Sequence, residues 1–428
     1  MARVYNWSRT RSCTPVRVAQ PRSEDEVAAL VRDARAAGQR VKVVGARHSW
    51  SDIAMSDGVL VNLDAMQALI EVDADRGVAR VQAGIRLRQL IEELAARDLG
   101  LTIIGSVTEQ SLAGVLSTGT HGSSLRHGNI PSFVVGLRLV TGTGERLDLD
   151  ADDPLLRGAR VGLGALGVIT EVRVRVEPLF RLRETTQILS FDEAVASVDA
   201  IARSAEYVKL WWLPHTDAVM VFRCERTREP GRLSPLATWL DAWVINRVVF
   251  PALLRLGALA PGLIPRVNRL VARTYLDRAP RIDRSDRVLS LATPPRHREI
   301  EYALPVERSA DALTALRYRI AGLGVRVNFI QELRFVRADD AWMSPASGRD
   351  TCQLGAYMAR SPGIDELFAG FEADMIALGG RPHWGKEFSV RGPQLRAMYP
   401  RADEFVAAVA RLDPDGVFRN PFLDRVLE

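Results

Sequence analysis

Two short segments far apart in the chain carry residue types suited to chemistry. The first is a glycine loop, residues 45–50, in which His48 follows the apolar run 41–44. A histidine in a tight loop at the end of a buried strand indicates a chemical role. The second segment, residues 383–386, ends with Lys386, one of only three lysines in a chain with 57 Lys and Arg. Because arginine supplies almost every other cation, this lysine indicates a task that arginine cannot perform, such as giving up a proton or placing a compact charge beside a ring.

A third candidate is a strand predicted over residues 325–335. Period-two alternation places one apolar set on one face and one polar set on the other. The apolar set is Val325, Val327, Phe329, Leu333 and Phe335, and the polar set is Arg326, Asn328, Glu332 and Arg334. The polar face predicts the lining of a cavity for a polyhydroxylated molecule, with a plain surface ion pair between Glu332 and Arg334 as the alternative. A strand predicted over 351–358 places Gln353 and Tyr357 on a common face, from which both reach that lining.

The segment 111–124 begins as a short helix and continues into a run of small residues. Small residues let backbone N–H groups approach an anion, and a helix N-terminus favours negative charge. The segment is therefore a candidate for binding a pyrophosphate, with a glycine turn packed for its own sake as the alternative. Residues 162–167 match the GxGxxG pattern, but a predicted helix precedes them and a predicted strand follows. That order is the reverse of what a Rossmann dinucleotide site requires, so no such site is predicted.

The predicted elements favour the α+β class. Ser23 and Glu26 form a capping box that begins a helix between strands near 15–18 and 40–44. A hairpin over 69–81 and a helix from Leu87 to Gly100 follow, and such short strands with occasional helices argue against a regular parallel sheet. The pattern changes near Pro178. We divide the chain into residues 1–178, 179–380 and 381–428, and the second unit has strands predicted over 208–213, 219–224 and 299–304.

Composition sets the broad class of protein. The 428 residues are 47% hydrophobic and 25% charged, which is ordinary for a globular protein of two or three packed units. The net charge of +5 comes from scattered arginines without a basic stripe, so no nucleic-acid partner is predicted. Three cysteines without framework spacing, and an N-terminus without a signal-peptide pattern, predict a reducing, cytoplasmic compartment. No metal site is predicted.

One apolar stretch, residues 239–263, requires comparison with a membrane segment. Charged residues and prolines interrupt it, whereas a spanning helix needs about 20 nearly unbroken apolar residues. The stretch predicts a pair of cap helices. The alternative is an interfacial helix on a membrane surface, which would make the protein peripherally membrane-associated.

Six motifs in order resemble those of the vanillyl-alcohol-oxidase type flavoproteins, and within them the aldonolactone oxidases and dehydrogenases, relatives of alditol oxidase. The motifs are Gly-Ala-Arg-His-Ser at 45–49, the small-residue segment 111–123 with Gly-Thr-His-Gly at 119–122, residues 162–167, Ser-Gly-Arg-Asp-Thr at 347–351, Arg-Pro-His-Trp-Gly-Lys at 381–386 and Leu-Asp-Pro-Asp-Gly at 412–416. The likeness covers nearly the whole chain. It implies a two-subdomain, PCMH-type FAD-binding domain at 1–178, a cap domain with an antiparallel sheet at 179–380, and a C-terminal segment that returns to the FAD site.

The resemblance implies FAD in an extended pose, linked covalently to His48 through the 8α carbon of the isoalloxazine. A noncovalent, hydrogen-bonding His48 is the alternative. The cofactor-binding residues that it implies are Gly45, Ala46, Arg47, His48, Ser49, Gly105, Ser106, Ser111, Gly114, Thr118, Thr120, His121, Gly122, Ser123, Val168, Ile169 and Lys386. The implied catalytic residues around the substrate are Ser106, Glu332, Arg334, Tyr357 and Lys386. In this picture Glu332 orients a sugar, while Arg334 and Lys386 stabilise the alkoxide that forms as hydride leaves carbon. A structural Lys386 paired with Glu387 or another acid is the alternative.

Two positions bear on the substrate and the oxidant. Lactone-oxidising relatives often have a histidine where this chain has Tyr357, and a neutral phenol cannot replace an imidazole in every role. Gly105 resembles the gate position at which a small residue lets oxygen reach the flavin. The resemblance implies oxidation of an aldono-1,4-lactone at C2, with oxygen or another acceptor as oxidant. An alditol or polyol oxidase, a natural-product tailoring oxidase, a non-catalytic flavin-binding protein and membrane-associated electron delivery to a quinone or cytochrome are the alternatives.

Overall fold

The computed structural model describes residues 3–231, 247–275, 280–359 and 361–427. The N-terminal unit, residues 3–178, begins with a hairpin of β1 (Val4–Tyr5) and β2 (Ser12–Cys13). A parallel sheet follows, in the order β3 (Arg17–Ala19), β5 (Val59–Val61) and β4 (Val41–Val43). Helix α1 (Glu24–Ala36) connects β3 to β4, which confirms the predicted β-α-β start.

Helix α1 begins where the sequence predicts, but half of the predicted capping box is wrong. The Ser23 hydroxyl accepts the backbone N–H of Glu26 and caps the helix. The Glu26 carboxylate, however, accepts the N–H of Arg22 instead of that of Ser23. The cap therefore satisfies one free helix donor and one donor of the preceding loop.

An antiparallel sheet of five strands completes the N-terminal unit. Its order is β10 (Arg146–Leu149), β9 (Val134–Val140), β11 (Val168–Arg175), β7 (Val78–Gln82) and β6 (Leu69–Asp73). Three helices accompany it: α2 (Leu87–Ala95), α3 (Leu112–Ser117) and α4 (Pro154–Ala159). The predicted hairpin is confirmed, and so is the helix-then-strand order around residues 162–167. Helix α2 ends before the predicted Gly100, because β8 (Leu99–Gly100) pairs with β12 (Glu177–Pro178).

The second unit is built on an antiparallel sheet of eight strands, here called the cap sheet. Its order is β16 (Arg281–Arg284), β13 (Arg181–Ser190), β15 (Ala218–Thr227), β14 (Tyr207–Trp212), β18 (Gln331–Val336), β19 (Thr351–Met358), β17 (Arg298–Pro305) and β20 (Arg381–Pro382). The core on one face includes α5 (Phe191–Ala196), α6 (Val198–Ala202), α10 (Ser309–Leu323) and α11 (Ile364–Ala377). The other described helices are α7 (Phe250–Leu259), α8 (Ile264–Tyr275), α9 (Ser285–Leu289), α12 (Gly392–Met398), α13 (Ala402–Leu412) and α14 (Pro421–Leu427). The domain boundaries at 178 and 380 stay predictions.

The strand predicted over 325–335 is correct only from Gln331 onward. Residues 325–330 bond to loop side chains instead of a neighbouring strand. The Val327 N–H donates to His215 Nε2 and its carbonyl accepts from the Asn268 amide, while Asn328 accepts the N–H of Ala359. The apolar half of the alternation nevertheless holds, because all five predicted apolar side chains are buried.

The apolar stretch near 239–263 is only partly described, since residues 239–246 lie outside the described ranges. Within those ranges, no single helix has the length and hydropathy to cross a membrane. Two consecutive helices, Arg247–Leu259 and Pro261–Thr274, are long and apolar enough only when taken together, and they are bent by 119° relative to each other. Of the helix pair predicted within 239–263, the described residues contain one α-helix, α7, because α8 begins only at Ile264.

The C-terminal helices share the N-terminal unit's hydrophobic core, and Asn420 fastens them. Its fully buried amide donates to the carbonyls of Ile53 and Met55, and its oxygen accepts the N–H of Leu423.

We expect Asn420→Ala to lower the free energy of unfolding by about 2 to 3 kcal/mol, because two buried carbonyls lose their donor. Thermal unfolding should show a lower midpoint than in Asn62→Ala, which removes an amide from an exposed turn. Equal midpoints would contradict this role.

Candidate active site

The face of the cap sheet opposite its helices carries the predicted catalytic side chains. Alternation along β18 places Glu332 and Arg334 on this face. Cross-strand pairing then sets Gly355 beside Glu332, and Glu301 beside Gly355, while Tyr357 pairs with Glu299. Five titratable side chains from three strands thus meet on one surface, because register fixes which side chains are neighbours.

Glu332 and Arg334 form a buried hydrogen-bonded pair. An Arg334 nitrogen lies 2.7 Å from Glu332 Oε2 and 2.5 Å from the Ser106 hydroxyl. Glu332 also accepts from the Trp211 indole at 2.7 Å and from the Tyr357 hydroxyl at 3.2 Å. The alternative of a plain surface ion pair is wrong, since the two side chains are only 6% and 13% exposed.

The charges of this pair hold both groups ionised. Burial alone would raise the pKa of Glu332, but the charges of Arg334 and Lys209 and two hydrogen bonds lower it below its ordinary value. Burial would lower the pKa of Arg334, but the Glu332 charge raises it above its ordinary value. Burial and the charges of Glu299 and Glu332 raise the pKa of Tyr357 well above its ordinary value, so its phenol remains a donor.

Lys386 faces this surface from the C-terminal segment. Its ammonium bonds to Glu299, lies 3.6 Å from Glu301 Oε2, and sits 4.4 Å from the centre of the Trp50 ring. The alternative of a pair with Glu387 is wrong, because Glu387 binds Arg298 instead. The other form of that alternative, a pair with a different acid, is present, because Lys386 pairs with Glu299. Lys386 therefore has both a charge partner and an aromatic neighbour.

Sequence reasoning missed Glu299 and Glu301. Burial would raise the pKa of both carboxyls, but the Lys386 charge lowers that of Glu299, and the charges of His121 and Lys386 lower that of Glu301. A signal was present, since after Arg298 these two acids, at period two, are the only charged residues of β17. Two carboxylates on one face of a buried strand indicate a polar site.

His121 lies between a backbone carbonyl and the Glu301 carboxylate. His121 Nδ1 lies 2.8 Å from the Gly122 carbonyl, which only accepts, so this nitrogen carries a hydrogen. Nε2 lies 2.7 Å from Glu301 Oε1, within hydrogen-bond distance. The ligand atoms of His121, Glu301 and His383 fall within 4.8 Å of one another, a spacing that a metal ion could use. The Lys386 ammonium already supplies a cation there, so hydrogen bonding accounts for the cluster.

The histidine loop and the lysine segment are fastened to each other. The backbone N–H of Trp50 donates to the Gly385 carbonyl, and the Ser51 hydroxyl donates to the Trp384 carbonyl. These bonds bring His48 close enough for the Lys386 charge to act on it. The two segments singled out from the sequence, more than 300 positions apart, therefore belong to one site.

His48 lies in this site as a neutral imidazole. Its ring stacks on Trp7 with centroids 5.4 Å apart, and no hydrogen bond to the ring occurs within the described residues. Burial, followed by the charges of Arg86 and Lys386, lowers the pKa of His48 to about 4. At neutral pH the imidazole is uncharged, and its free nitrogen is available to a cofactor.

The loop 45–49 fits an anionic group. Arg47 has a positive φ of 62°, and the N–H groups of residues 46–49 have no hydrogen-bond partner among the described residues. Such a turn with free N–H groups is an anion-binding concavity. Gly45 is required here, because a Cβ would lie 2.1 Å from the Ser111 hydroxyl, and at Gly114 a Cβ would lie 2.9 Å from it. The two predicted cofactor segments therefore touch, as a pyrophosphate site between them requires.

The remaining predicted cofactor residues are packed inside the N-terminal unit or lie at its contact with the cap sheet. Gly105 and Gly122 lie against Thr120 and Ile103, where an added Cβ would come within 3.0 Å and 2.6 Å of side-chain atoms. Thr118 donates to the Gly114 carbonyl and turns toward its own helix, and Val168 and Ile169 are buried in β11. The Ser123 hydroxyl links the two units, since it donates to the Val208 carbonyl and accepts the Phe335 N–H. Ala46 and Ser49 lie within the loop described above.

Known proteins show which family combines these features. The profile described as "D-arabinono-1,4-lactone oxidase" matches residues 172–426, and that described as "FAD binding domain" matches residues 15–150. The chain is 34% identical over 422 residues to the L-gulono-1,4-lactone dehydrogenase of Mycobacterium tuberculosis, covering 99% of this chain and 98% of that protein. It is 33% identical over 428 residues to the L-gulonolactone oxidase of Scyliorhinus torazame, covering 98% and 97%.

Solved structures agree on the fold. A structure titled "Solvent-stable cholesterol oxidase" superposes with a TM-score of 0.85 over 99% of this chain and 96% of that chain, at 20% identity. At that identity the likeness shows the fold alone, and it confirms the α+β, PCMH-type class. The resemblance recognised from the six motifs is likewise confirmed by a profile that covers more than half of the chain. The chain belongs to the D-arabinono-1,4-lactone oxidase family of FAD-dependent oxidoreductases.

Proposed function

We propose that the protein oxidises an aldono-1,4-lactone at its C2 hydroxyl. The observation that carries the proposal is the buried Glu332–Arg334–Ser106 group facing Lys386, because it offers acceptors and cations to a hydroxylated ring. Bound FAD supplies the hydride acceptor, its N5 atom. The names of the relatives, a gulonolactone oxidase and a gulono-1,4-lactone dehydrogenase, support a lactone as substrate.

Each side chain has a distinct task in this proposal. Glu332 accepts a substrate hydroxyl and fixes the orientation of the ring, because Trp211 and Tyr357 hold its carboxylate in place. Oxidation at C2 removes the hydroxyl proton from oxygen and hydride from carbon. Arg334 and Lys386 place positive charge beside the C2 oxygen, where they stabilise the negative charge that it carries once its proton is lost. Ser106, already bonded to Arg334, adds a hydroxyl that adjusts to donate or accept.

Anaerobic bleaching of the flavin tests the substrate. Rapid loss of the yellow absorption with L-gulono- or L-galactono-1,4-lactone, without loss with xylitol, would support the proposal. Bleaching by xylitol alone would make the protein an alditol oxidase, and bleaching only by a larger hydroxylated natural product would make it a tailoring oxidase. No bleaching by any alcohol would favour a non-catalytic flavin-binding protein.

Gly105 provides a test of the oxidant. A Cβ at this position would lie 3.0 Å from Thr120 Cγ2, so Gly105→Ala narrows the space beside Ser106 without filling it. We expect the variant to slow reoxidation of the reduced flavin by oxygen more than reduction by lactone. Stopped-flow measurement of the two half-reactions separates them, with an artificial acceptor as control. If oxygen reoxidises the reduced flavin equally fast in the variant and the wild type, Gly105 does not control the access of oxygen.

We propose that the protein is cytoplasmic and associates weakly with an anionic membrane surface. The three free cysteines are buried, which fits a reducing compartment. Residues 247–275 contain five arginines and no acid. Three apolar side chains of this region are largely exposed: Val248 before α7 by 62%, Leu259 on α7 by 86% and Leu270 on α8 by 61%. Flotation with phosphatidylserine vesicles should retain the protein, and Leu259→Ser with Leu270→Ser should release it. Retention on neutral vesicles alone, or equal flotation of the variant, would contradict the proposal.

A further inference from the structure

Lys209 has no task in the proposed chemistry. It lies in the middle of β14, directly opposite Arg334 on β18 and Phe222 on β15. This register places it on the face of the cap sheet that carries the catalytic residues. A lysine at the centre of a sheet loses most of its hydration, so its presence there requires compensation.

The compensation that the protein supplies is incomplete. The Lys209 ammonium lies 4.8 Å from the ring centre of Trp211 and 4.7 Å from that of Phe222, which gives it two aromatic neighbours. Within the described residues, no carboxylate approaches it within 4 Å and no hydrogen bond to it is formed. The other two lysines are bonded, Lys42 to two backbone carbonyls and Lys386 to Glu299. Lys209 therefore has hydrogen-bond donors to offer to a ligand.

Lys209 lines a cavity at the contact between the N-terminal unit and the cap sheet. It holds about 380 Å³ of empty space, part of it open to solvent, and joins the N-terminal unit to the cap sheet. Ser106 and Arg334 line it together with Lys209, so the cavity shares two residues with the proposed substrate site.

The lining indicates the chemistry of the ligand. Donors are provided by Lys209 and Arg334, an acceptor by Glu184, and apolar walls by Ile104 and Leu289. A hydroxyl group both donates and accepts, whereas a carboxylate only accepts and would be repelled by Glu184. A short carbon chain with neutral hydroxyls matches both the polar and the apolar surfaces.

We propose that this cavity binds the hydroxylated tail of the lactone, the exocyclic carbons beyond the ring, with the Lys209 ammonium donating to a tail hydroxyl. The inference rests on the proposed function and deepens it, because it assigns the part of the substrate that selects among lactones. Arg334 and Ser106 stand at the boundary between the two subsites. Lys209 thus determines specificity without acting on the reacting carbon.

Two lactones that differ in the tail test the inference in the holoenzyme. L-Gulono-1,4-lactone has a two-carbon tail with two hydroxyls, and threono-1,4-lactone has none. In Lys209→Met we expect the ratio of kcat/KM for the two to fall by about tenfold or more, mainly through KM, because a charged hydrogen bond to the tail is lost. Leu289→Phe, which narrows the cavity from its apolar wall, should lower the same ratio. Arg223→Met removes a cation from the other face of β15 and should leave the ratio unchanged.

The outcomes separate the subsite from the function. An unchanged ratio in both cavity variants, or an equal loss for both lactones, would overturn the tail subsite. If wild-type protein is bleached by neither lactone, the proposed function fails instead. The same variants are then compared with alditols of four and six carbons, where a selective loss for the longer chain supports the subsite and an equal loss overturns it.

Discussion

Replacing Lys386 by methionine should slow the reduction of bound flavin by lactone by roughly 10²- to 10³-fold, the usual cost of losing one preorganised charge from a site of this kind. The ammonium is held between Glu299 and the Trp50 ring, so its position does not depend on substrate. A cation fixed in advance stabilises an alkoxide without reorganisation, and methionine of similar length removes only the charge. Single-turnover stopped-flow absorbance, under anaerobic conditions, measures the effect.

The control addresses the acids that Lys386 neutralises. Methionine leaves Glu299 buried beside Glu301 without its cation, and unpaired buried charge destabilises a protein. The double variant Lys386→Met with Glu299→Gln removes both charges and should recover thermal stability but not the reduction rate. Lys386→Arg tests whether charge alone suffices. A flavin spectrum like that of the wild type, together with an unchanged reduction rate in Lys386→Met, would exclude the lysine from the mechanism.

Motifs and alternation predicted much of this site, while neighbours across strands could not be predicted. Glu332 and Arg334 share a face by period two within one strand, which the sequence displays directly. Lys209 meets Arg334 only because β14 pairs with β18, a contact between positions more than 100 residues apart. Such registers depend on the packing of the whole sheet, so no local pattern reveals them.

Gly355 illustrates a constraint that lies outside local pattern. The Tyr357 ring folds back over this glycine, and a Cβ at 355 would lie 2.5 Å from the ring. The glycine therefore makes room for the tyrosine two residues later on the same face of β19. The sequence shows Tyr357 where lactone-oxidising relatives often have a histidine, but it does not show the contact with Gly355. Together they are a single steric unit that sets how the phenol reaches Glu332.

Residues 325–330 were predicted as strand but form a loop. Alternation was correct about burial but not about strand pairing, because His215 and Asn268 side chains take the hydrogen bonds that a neighbouring strand would make. Burial follows from side-chain hydropathy, whereas strand structure requires a partner backbone. A segment can thus keep a strand's apolar face and still end as a loop.

Replacing His48 by alanine should abolish covalent attachment of the flavin while leaving FAD bound. We propose this bond because the imidazole is neutral, stacked and free of hydrogen bonds within the described chain, as an attacking nitrogen must be. Acid precipitation of wild-type protein should give a yellow pellet, and that of His48→Ala a colourless pellet with yellow supernatant. The adjacent loop N–H groups remain in the variant, so FAD should still bind to the folded protein.

The pH dependence of attachment checks the same assignment by a different route. A pKa of about 4 means that His48 loses its proton on going above that pH, so the nucleophilic form is present throughout the neutral range. Attachment of FAD to apoprotein should therefore proceed at a constant rate near neutrality and slow as pH falls toward 4. His127→Ala serves as the matched control, because His127 is engaged by Glu206 away from the loop, and its pellet should stay yellow. A yellow His48→Ala pellet would place the bond on another residue, and a colourless wild-type pellet would leave His48 as a noncovalent contact.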